Sequence, residues 1–337
     1  VLPSERIWGF LDFSLINIGI AVATWGFLIG GTLSLFVGLK MGITASIAGN
    51  TVAIILMALA TSIPSSKYGI DQYITLRSVF GSKGVRIVMA LVVIVIVGWI
   101  TLLSIMFGKA SSNVYHTLTN TVSGSNFIVI FFSFIALMVS WLIVAKGPVS
   151  IKWLNRIVSP GLIIMLIVMV YLILGRFTIT ELFALEPIDP SPNDWWNYMI
   201  VLELSLGAGL SWWNILGGLS RLTKTQRVAF WPNMIGINFA AVLATVVGLA
   251  AGLALGSSDP TEWMVPIGGP ILGVIALLFI AFANITSITA LIYPISLALK
   301  QFNLFSNLGW GKQTFILVLP SIIFILFPDA IYDNFST

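Results

Sequence analysis

The stretch at residues 205 to 224, SLGAGLSWWNILGGLSRLTK, decides how the whole chain is read. It closes an apolar run, residues 195 to 219 broken only by Glu203, that is long enough to cross a bilayer. Yet it carries four glycines, two adjacent tryptophans, an asparagine and several serines. A membrane helix must satisfy its backbone within itself, and irregular backbone is tolerated at membrane depth only where it faces protein or a water-filled cavity. The stretch therefore reads as two half-helices around a site. Gly207 and Gly209 let the helix unwind, while Ser211, Trp212, Trp213 and Asn214 stand at the break as candidate substrate contacts. Arg221 and Lys224 anchor the far end.

The rest of the chain supports a membrane setting. Of 337 residues, 58% are hydrophobic and 8% charged, against roughly 25% charged in a soluble domain. Runs at 13 to 39, 41 to 66, 87 to 108, 127 to 145, 157 to 175, 228 to 256 and 263 to 299 each exceed the length of a spanning helix. With 195 to 219 and 313 to 328 they make nine spans. The runs are continuously apolar, whereas barrel strands alternate, so the class is all-α and polytopic. There is no cysteine, and hence no disulfide or thiol chemistry. The first apolar run is too long for a signal peptide and lacks a small-residue cleavage site.

Basic residues set the expected orientation. With the amino terminus in the cytoplasm, all but Lys40, Lys109 and Arg176 of the 16 Lys and Arg residues lie inside, as the positive-inside rule requires. A multi-pass protein of the cell membrane is expected, its partners the lipid bilayer and a small molecule. The net charge of +4 then reflects topology and gives no support to nucleic-acid binding. Oligomeric state is not readable from these features.

No low-complexity linker divides the chain, so a single transmembrane domain over 1–337 is expected. The longest break is the segment from Arg176 to Asp194, with Pro187, Pro190 and Pro192. It separates five spans, a first repeat over 1–176, from a second set, helices 6 to 9, over 195–337. Both sets open alike. Span 1, FSLINIGIAVATWGFLIGG, holds Asn17, Gly19, Thr24, Trp25, Gly26, Gly30 and Gly31, matching the glycines, tryptophans and asparagine of span 6. Small residues also let membrane helices pack closely. Two such helices in corresponding positions, however, are the mark of a five-plus-five inverted-repeat transporter fold with helices 1 and 6 unwound. Nine spans leave Thr337 on the face opposite Val1, which points to a second repeat continuing beyond it.

Enzyme chemistry finds little footing. His116, the one histidine, falls in a loop, and HExxH, CxxC, GxSxG and phosphate-binding glycine loops are absent from the sequence. Glu203 is the one acid inside a predicted span; an ionisable group there reads as a proton carrier or gate partner, or as a side chain near enough to the end to reach water. In span 8, LLFIAFANITSITALIYPISLAL, Asn284, Thr286, Ser287 and Thr289 cluster at mid-span. Their oxygens, with carbonyls freed where helix 1 unwinds near Gly19 and Val22, make a candidate Na+ site of Gly19, Val22, Thr286 and Ser287, with Asn284 beside it. Such hydroxyls also bond back to their own helix. The coupling ion is Na+ on this reading and H+ if Glu203 carries it; no other cofactor is called for. Trp25, Trp99, Trp212 and Trp213 lie toward the interior of their spans. Indole faces stack on planar rings, a contact of about 1–3 kcal/mol per nucleobase.

The stretch KYGIDQYITLRSVFGSKG at 67 to 84, with GW at 98 to 99, resembles the nucleobase/cation symporters, the purine, cytosine, allantoin and hydantoin permeases. The matching residues are Gly69, Arg77, Phe80, Gly81, Gly84 and Trp99. The entry PSERIWGFLDFSLINIG is similar to that family's amphipathic lead-in, and SWWNILGGLSRL to its S-W…D-Y-S-R-Y signature through Ser211, Trp212, Ser220 and Arg221. Gly218 stands in place of the signature's aspartate, Leu222 in place of its last tyrosine, and Leu103 where hydantoin-type members have glutamine. Thr289 and Ala290 occupy the region of an asparagine-rich substrate contact. The resemblance covers essentially the whole chain. It implies the five-plus-five fold, with a substrate held between Trp99 and the broken span 6 and touched by spans 1 and 8. The expected function is cation-coupled symport of a nucleobase-like planar heterocycle by alternating access; a passive channel or facilitator, or a non-transporting receptor on the same fold, are the alternatives.

Overall fold

The computed structural model describes residues 1–121 and 126–336. In chain order the helices are α1 (Phe10–Ala21), α2 (Thr24–Phe36), α3 (Leu39–Tyr68), α4 (Gln72–Thr119), α5 (Asn126–Ala145) and α6 (Pro148–Arg176). They continue as α7 (Ile179–Ala184), α8 (Asp194–Leu210), α9 (Trp213–Ser220), α10 (Gln226–Leu255), α11 (Pro260–Leu299), α12 (Trp310–Phe324) and α13 (Pro328–Ser336). Seven helices among the described residues, counting α8 with α9 as one, are long and apolar enough to cross a bilayer. Two bent pairs, α1 with α2 at 49° and α12 with α13 at 96°, raise the number to nine, as hydropathy predicts.

Spans 1 and 6 are both interrupted. Helix α1 ends where Val22 (φ −90°, ψ 59°) and Ala23 (φ −113°, ψ 175°) leave helical geometry, so the first span consists of two half-helices. Span 6 breaks later than the glycines predict. Gly207 and Gly209 remain inside regular helix α8, and the interruption falls on Ser211 and Trp212. There the i→i−4 ladder tightens, with the Trp212 N–H donating to the Gly209 carbonyl at 3.5 Å. Glycine permits unwinding without enforcing it, and Gly209 is held by its packing: a Cβ there would meet the Ala53 Cβ at 2.5 Å and Asn50 Oδ1 at 2.9 Å.

Span 3 is longer than hydropathy predicts, and spans 3 and 8 are built in the same way. Asp71 caps α4 by accepting from the Tyr73 and Ile74 N–H groups, and Asp259 caps α11 by accepting from the Thr261 N–H. Ten residues on, Gly81 (φ 67°, ψ 173°) and Gly269 (φ 70°, ψ −178°) break each helix with nearly identical dihedrals, in a region essentially closed to other residues. Each long span is thus a short arm, a glycine joint and a membrane helix. Between α6 and α8 the chain forms α7, whose capping box pairs Thr178 with Glu181. Those hydrogen bonds from the Thr178 backbone and hydroxyl hold the exposed Glu181 carboxyl below its ordinary range.

Packing fixes the half-helices of span 1 to different neighbours. Helix α2 lies against α10 so closely that a Cβ on Gly248 would sit 2.1 Å from the Phe27 carbonyl oxygen. Helix α1 joins α10 and α3 through buried amides: Asn17 Nδ2 donates to Asn233 Oδ1 at 2.8 Å, and Asn233 Nδ2 to Ser62 Oγ at 2.9 Å. At the amino-terminal face, Trp8 is fully buried and bridges residues beyond α9, its N–H on the Leu222 carbonyl and its carbonyl taking the Lys224 N–H. Arg156 Nε donates to Asp12 Oδ1 at 2.6 Å, tying α6 to α1.

Candidate functional site

The two interruptions face one cavity of about 260 Å³. Ile20 of α1 and Trp25 and Ile29 of α2 form one wall, and Ile96, Trp99 and Leu103 of α4 the wall opposite. Gly207, Ala208, Ser211, Trp212, Asn214 and Ile215 follow span 6 through its break, and Ser287 and Leu291 of α11 complete the lining. The Trp25 and Trp212 rings stand 5.4 Å apart at 58°, a tilted aromatic corner. Among the described residues, no Asp, Glu, Lys, Arg or His lines the cavity.

Each interruption serves differently. At the first, helix α1 ends without its next turn, and its last carbonyls look for donors. Ser287 Oγ donates to the Ile20 carbonyl at 3.0 Å, Trp25 Nε1 donates to the same oxygen at 3.2 Å, and Thr286 Oγ donates to the Gly19 carbonyl. Two carbonyls of α1 and two hydroxyls of α11 are thereby brought together beside Val22, which is fully buried. This neutral, all-oxygen set is of the kind that a small hard cation takes. Three or more His, Cys, Asp or Glu side chains do not gather anywhere among the described residues. Asn284 sits next to this set, its Nδ2 donating to Thr24 Oγ at 2.8 Å while its buried Oδ1 has no hydrogen-bond partner.

At the second interruption the side chains are presented instead. Ser211 Oγ donates to the Ala208 carbonyl at 2.6 Å. The Asn214 backbone carbonyl accepts from the Tyr73 hydroxyl at 2.8 Å and from Gln72 Nε2, and Asn214 itself is one of the polar residues lining the cavity.

The remaining sequence candidates lie away from the lining. Trp213 turns toward Tyr73, ring centroids 6.1 Å apart. Gly209 packs on α3. Thr289 is buried and bonds back to the Thr286 carbonyl at 2.7 Å. Glu203 is exposed on α8. Sequence reading misses the aliphatic walls, Ile20, Ile29, Ile96, Ile215 and Leu291, which carry no signal apart from other aliphatics. It also misses Gln72 and Tyr73, although a polar pair directly after a capping aspartate was visible.

A helical bundle whose first and sixth spans break around a shared cavity is the architecture of broken-helix membrane transporters. The chain belongs to the family of permeases for cytosine/purines, uracil, thiamine and allantoin, whose model matches residues 1–317. It is 27% identical over 351 residues to the purine-uracil permease NCS1 of Arabidopsis thaliana, covering 96% of this chain and 56% of that protein. The chain thus spans little more than half the length of that curated relative. Among solved structures it is similar to Mhp1, a nucleobase-cation-symport-1 family transporter, closed with bromovinylhydantoin bound (TM-score 0.80, 17% identity, 97% of this chain and 75% of that one). The inward-facing Mhp1 structure gives a TM-score of 0.76 at 18% identity, over 97% of this chain and 72% of that one. MhsT in complex with L-phenylalanine gives 0.70 at 15% identity, over 96% and 79%.

Proposed function

We propose that this protein is a secondary transporter that moves an uncharged planar heterocycle with Na+ by alternating access. The observation that carries the proposal is the sharing of Ile20 and Ser287: both line the cavity, and both belong to the carbonyl–hydroxyl set at the end of α1. A cation drawing on those oxygens and a ligand lying against the same residues would stabilise one arrangement of α1 against α11, which is the thermodynamic content of coupling. The permease family and the hydantoin held by the Mhp1 neighbour support the ligand class.

Within that class the lining favours a neutral molecule. Indoles at Trp25, Trp99 and Trp212 offer flat faces, Asn214 adds a neutral amide, and Ser211 and Ser287, whose protons are already donated, add neutral acceptors. A cationic ligand such as thiamine would be buried without a counter-charge, at a cost of several kcal/mol. Na+ is favoured over H+ because the oxygens beside Gly19 and Val22 do not titrate, whereas Glu203 stands outside the cavity lining. The halves 1–176 and 195–337 are proposed as the inverted repeats, supported by the matched Asp-capped arms and glycine joints of α4 and α11. An amino terminus in the cytoplasm of a cell-membrane protein follows from the basic residues that cluster on its side.

The test is uptake by proteoliposomes of labelled uracil, hydantoin, allantoin and thiamine, with and without an inward Na+ gradient. Saturable uptake of one neutral heterocycle, stimulated by the gradient, is expected. Uptake linear in concentration and indifferent to the gradient overturns the proposal in favour of a facilitator; binding without flux overturns it in favour of a receptor.

A further inference from the structure

A second cavity, of about 150 Å³, is lined by nine aliphatic side chains and nothing else. It lies between the start of α3, the last turns of α6 and α10, and α7, at the face opposite the amino terminus. Leu39, Ile173 and Val247 make a buried floor, while Leu174 and Ile179 are 46% and 60% exposed at its rim. It is therefore a groove open to the surroundings of the bundle. Apolar cavities do not hold ordered water, and at membrane depth the material available to fill one is the acyl chain of a lipid.

Two exposed cations flank the groove along the chain. Lys40 directly follows Leu39, and Arg176 comes two residues after Leu174 at the end of α6. They are two of the three basic residues on this face. Neither has an ion-pair partner among the described residues. Of the nearby acids, Glu181 is engaged by the Thr178 N–H at 2.7 Å and hydroxyl at 2.9 Å, on its own helix. Glu186 and Asp194 line the neighbouring loop cavity together with Lys40, and neither forms an ion pair with it. A phosphodiester at the mouth would find two cations, and the lipid chain below it would find the aliphatic floor.

We propose that this groove is a phospholipid site, with one acyl chain laid between α6, α7 and α10 and the phosphate held by Lys40 and Arg176. The site is separate from the ligand cavity and does not depend on what the protein transports. Occupancy would brace α7 across α6 and α10, the helix against which α2 is packed.

The experiment is thermal unfolding of the delipidated protein, titrated with phosphatidylglycerol or with a monogalactosyl diacylglycerol of the same chains. Phosphatidylglycerol is expected to stabilise strongly and the galactolipid weakly. The surface variant Lys40→Gln/Arg176→Gln should fold normally and weaken the phospholipid response roughly tenfold or more in concentration, levelling the two lipids. Val246→Trp, at a half-buried lining position, should fill the groove and blunt both responses. Equal stabilisation of the parent protein by both lipids overturns the phosphate assignment. A phospholipid response that survives the double variant unchanged overturns the site itself.

Discussion

The two interrupted spans solve one problem in opposite ways. Between α1 and α2 the backbone opens at Val22 and Ala23 and bends by 49°. Its freed carbonyls, on Gly19 and Ile20, are taken by hydroxyls from α11. Between α8 and α9 the backbone only tightens at Ser211 and Trp212, and what reaches the cavity is mainly side chains. An opened backbone supplies hard oxygen dipoles; a tight turn supplies a corner on which to mount an indole and an amide. The difference teaches that the ion of the proposed mechanism draws on the opened backbone of span 1 and the heterocycle mainly on side chains, the two meeting at Ile20 and Ser287.

The most drastic way to break this comparison is to unseat α2 from α10. Gly248→Leu would drive a side chain into the Phe27 backbone, which stands 2.1 Å from where its Cβ must lie. Neighbouring backbone cannot give way by that much, so loss of monodisperse protein in size-exclusion chromatography is the expected outcome. Normal yield and an unchanged unfolding temperature would show that α2 is free to move off α10.

Next in size is the ligand half. Trp212→Ala removes one face of the corner that Trp25 and Trp212 form, at a cost of about 1–3 kcal/mol or roughly 5- to 150-fold in Kd. The variant keeps its backbone turn, so Na+-induced thermal stabilisation should persist while heterocycle affinity, read by calorimetry, falls. The converse result, lost Na+ response with intact ligand affinity, would exchange the roles of the two spans.

Smaller again is the ion half. Ser287→Ala deletes one hydroxyl from the set at the end of α1, a net loss of about 0.5–1.5 kcal/mol. The concentration of Na+ that half-stimulates ligand binding should therefore rise by roughly 2- to 13-fold. Ligand affinity without Na+ should fall by no more than the same factor, since Ser287 also lines the ligand cavity. An unaltered Na+ dependence would move the ion elsewhere.

Much of this organisation is legible in the sequence, and the limits have physical causes. Polar and aromatic residues stand out against lipid-like runs, which is why Trp25, Trp99, Trp212, Ser211, Asn214 and Ser287 are noticed and why they lie together on the cavity. Trp213 stands out equally, but neighbours on a helix point about 100° apart, so one of the two indoles must face elsewhere; it meets Tyr73. Ile96, Leu103 and Leu291 look the same whether they face cavity or lipid, and only packing decides. The arm before Gly81 escapes hydropathy because it is too polar to register as part of a span, whereas most of the arm before Gly269 lies inside the run at 263 to 299 and only its glycine joint goes unread.

The smallest effect sharpens the comparison most directly, because it asks where span 6 yields. Gly207 and Gly209 look equivalent in sequence, yet a Cβ on Gly209 collides with α3, while one on Gly207 meets nothing within 4 Å. Gly207 lies in regular helix, so replacing it with alanine should lower the cost of holding that helix and stabilise the protein by about 0.5–1 kcal/mol. A modest rise in unfolding temperature is the expected result. A fall, or a loss of uptake with binding preserved, would mean that Gly207 is a hinge used elsewhere in the transport cycle, and that span 6 opens as span 1 does.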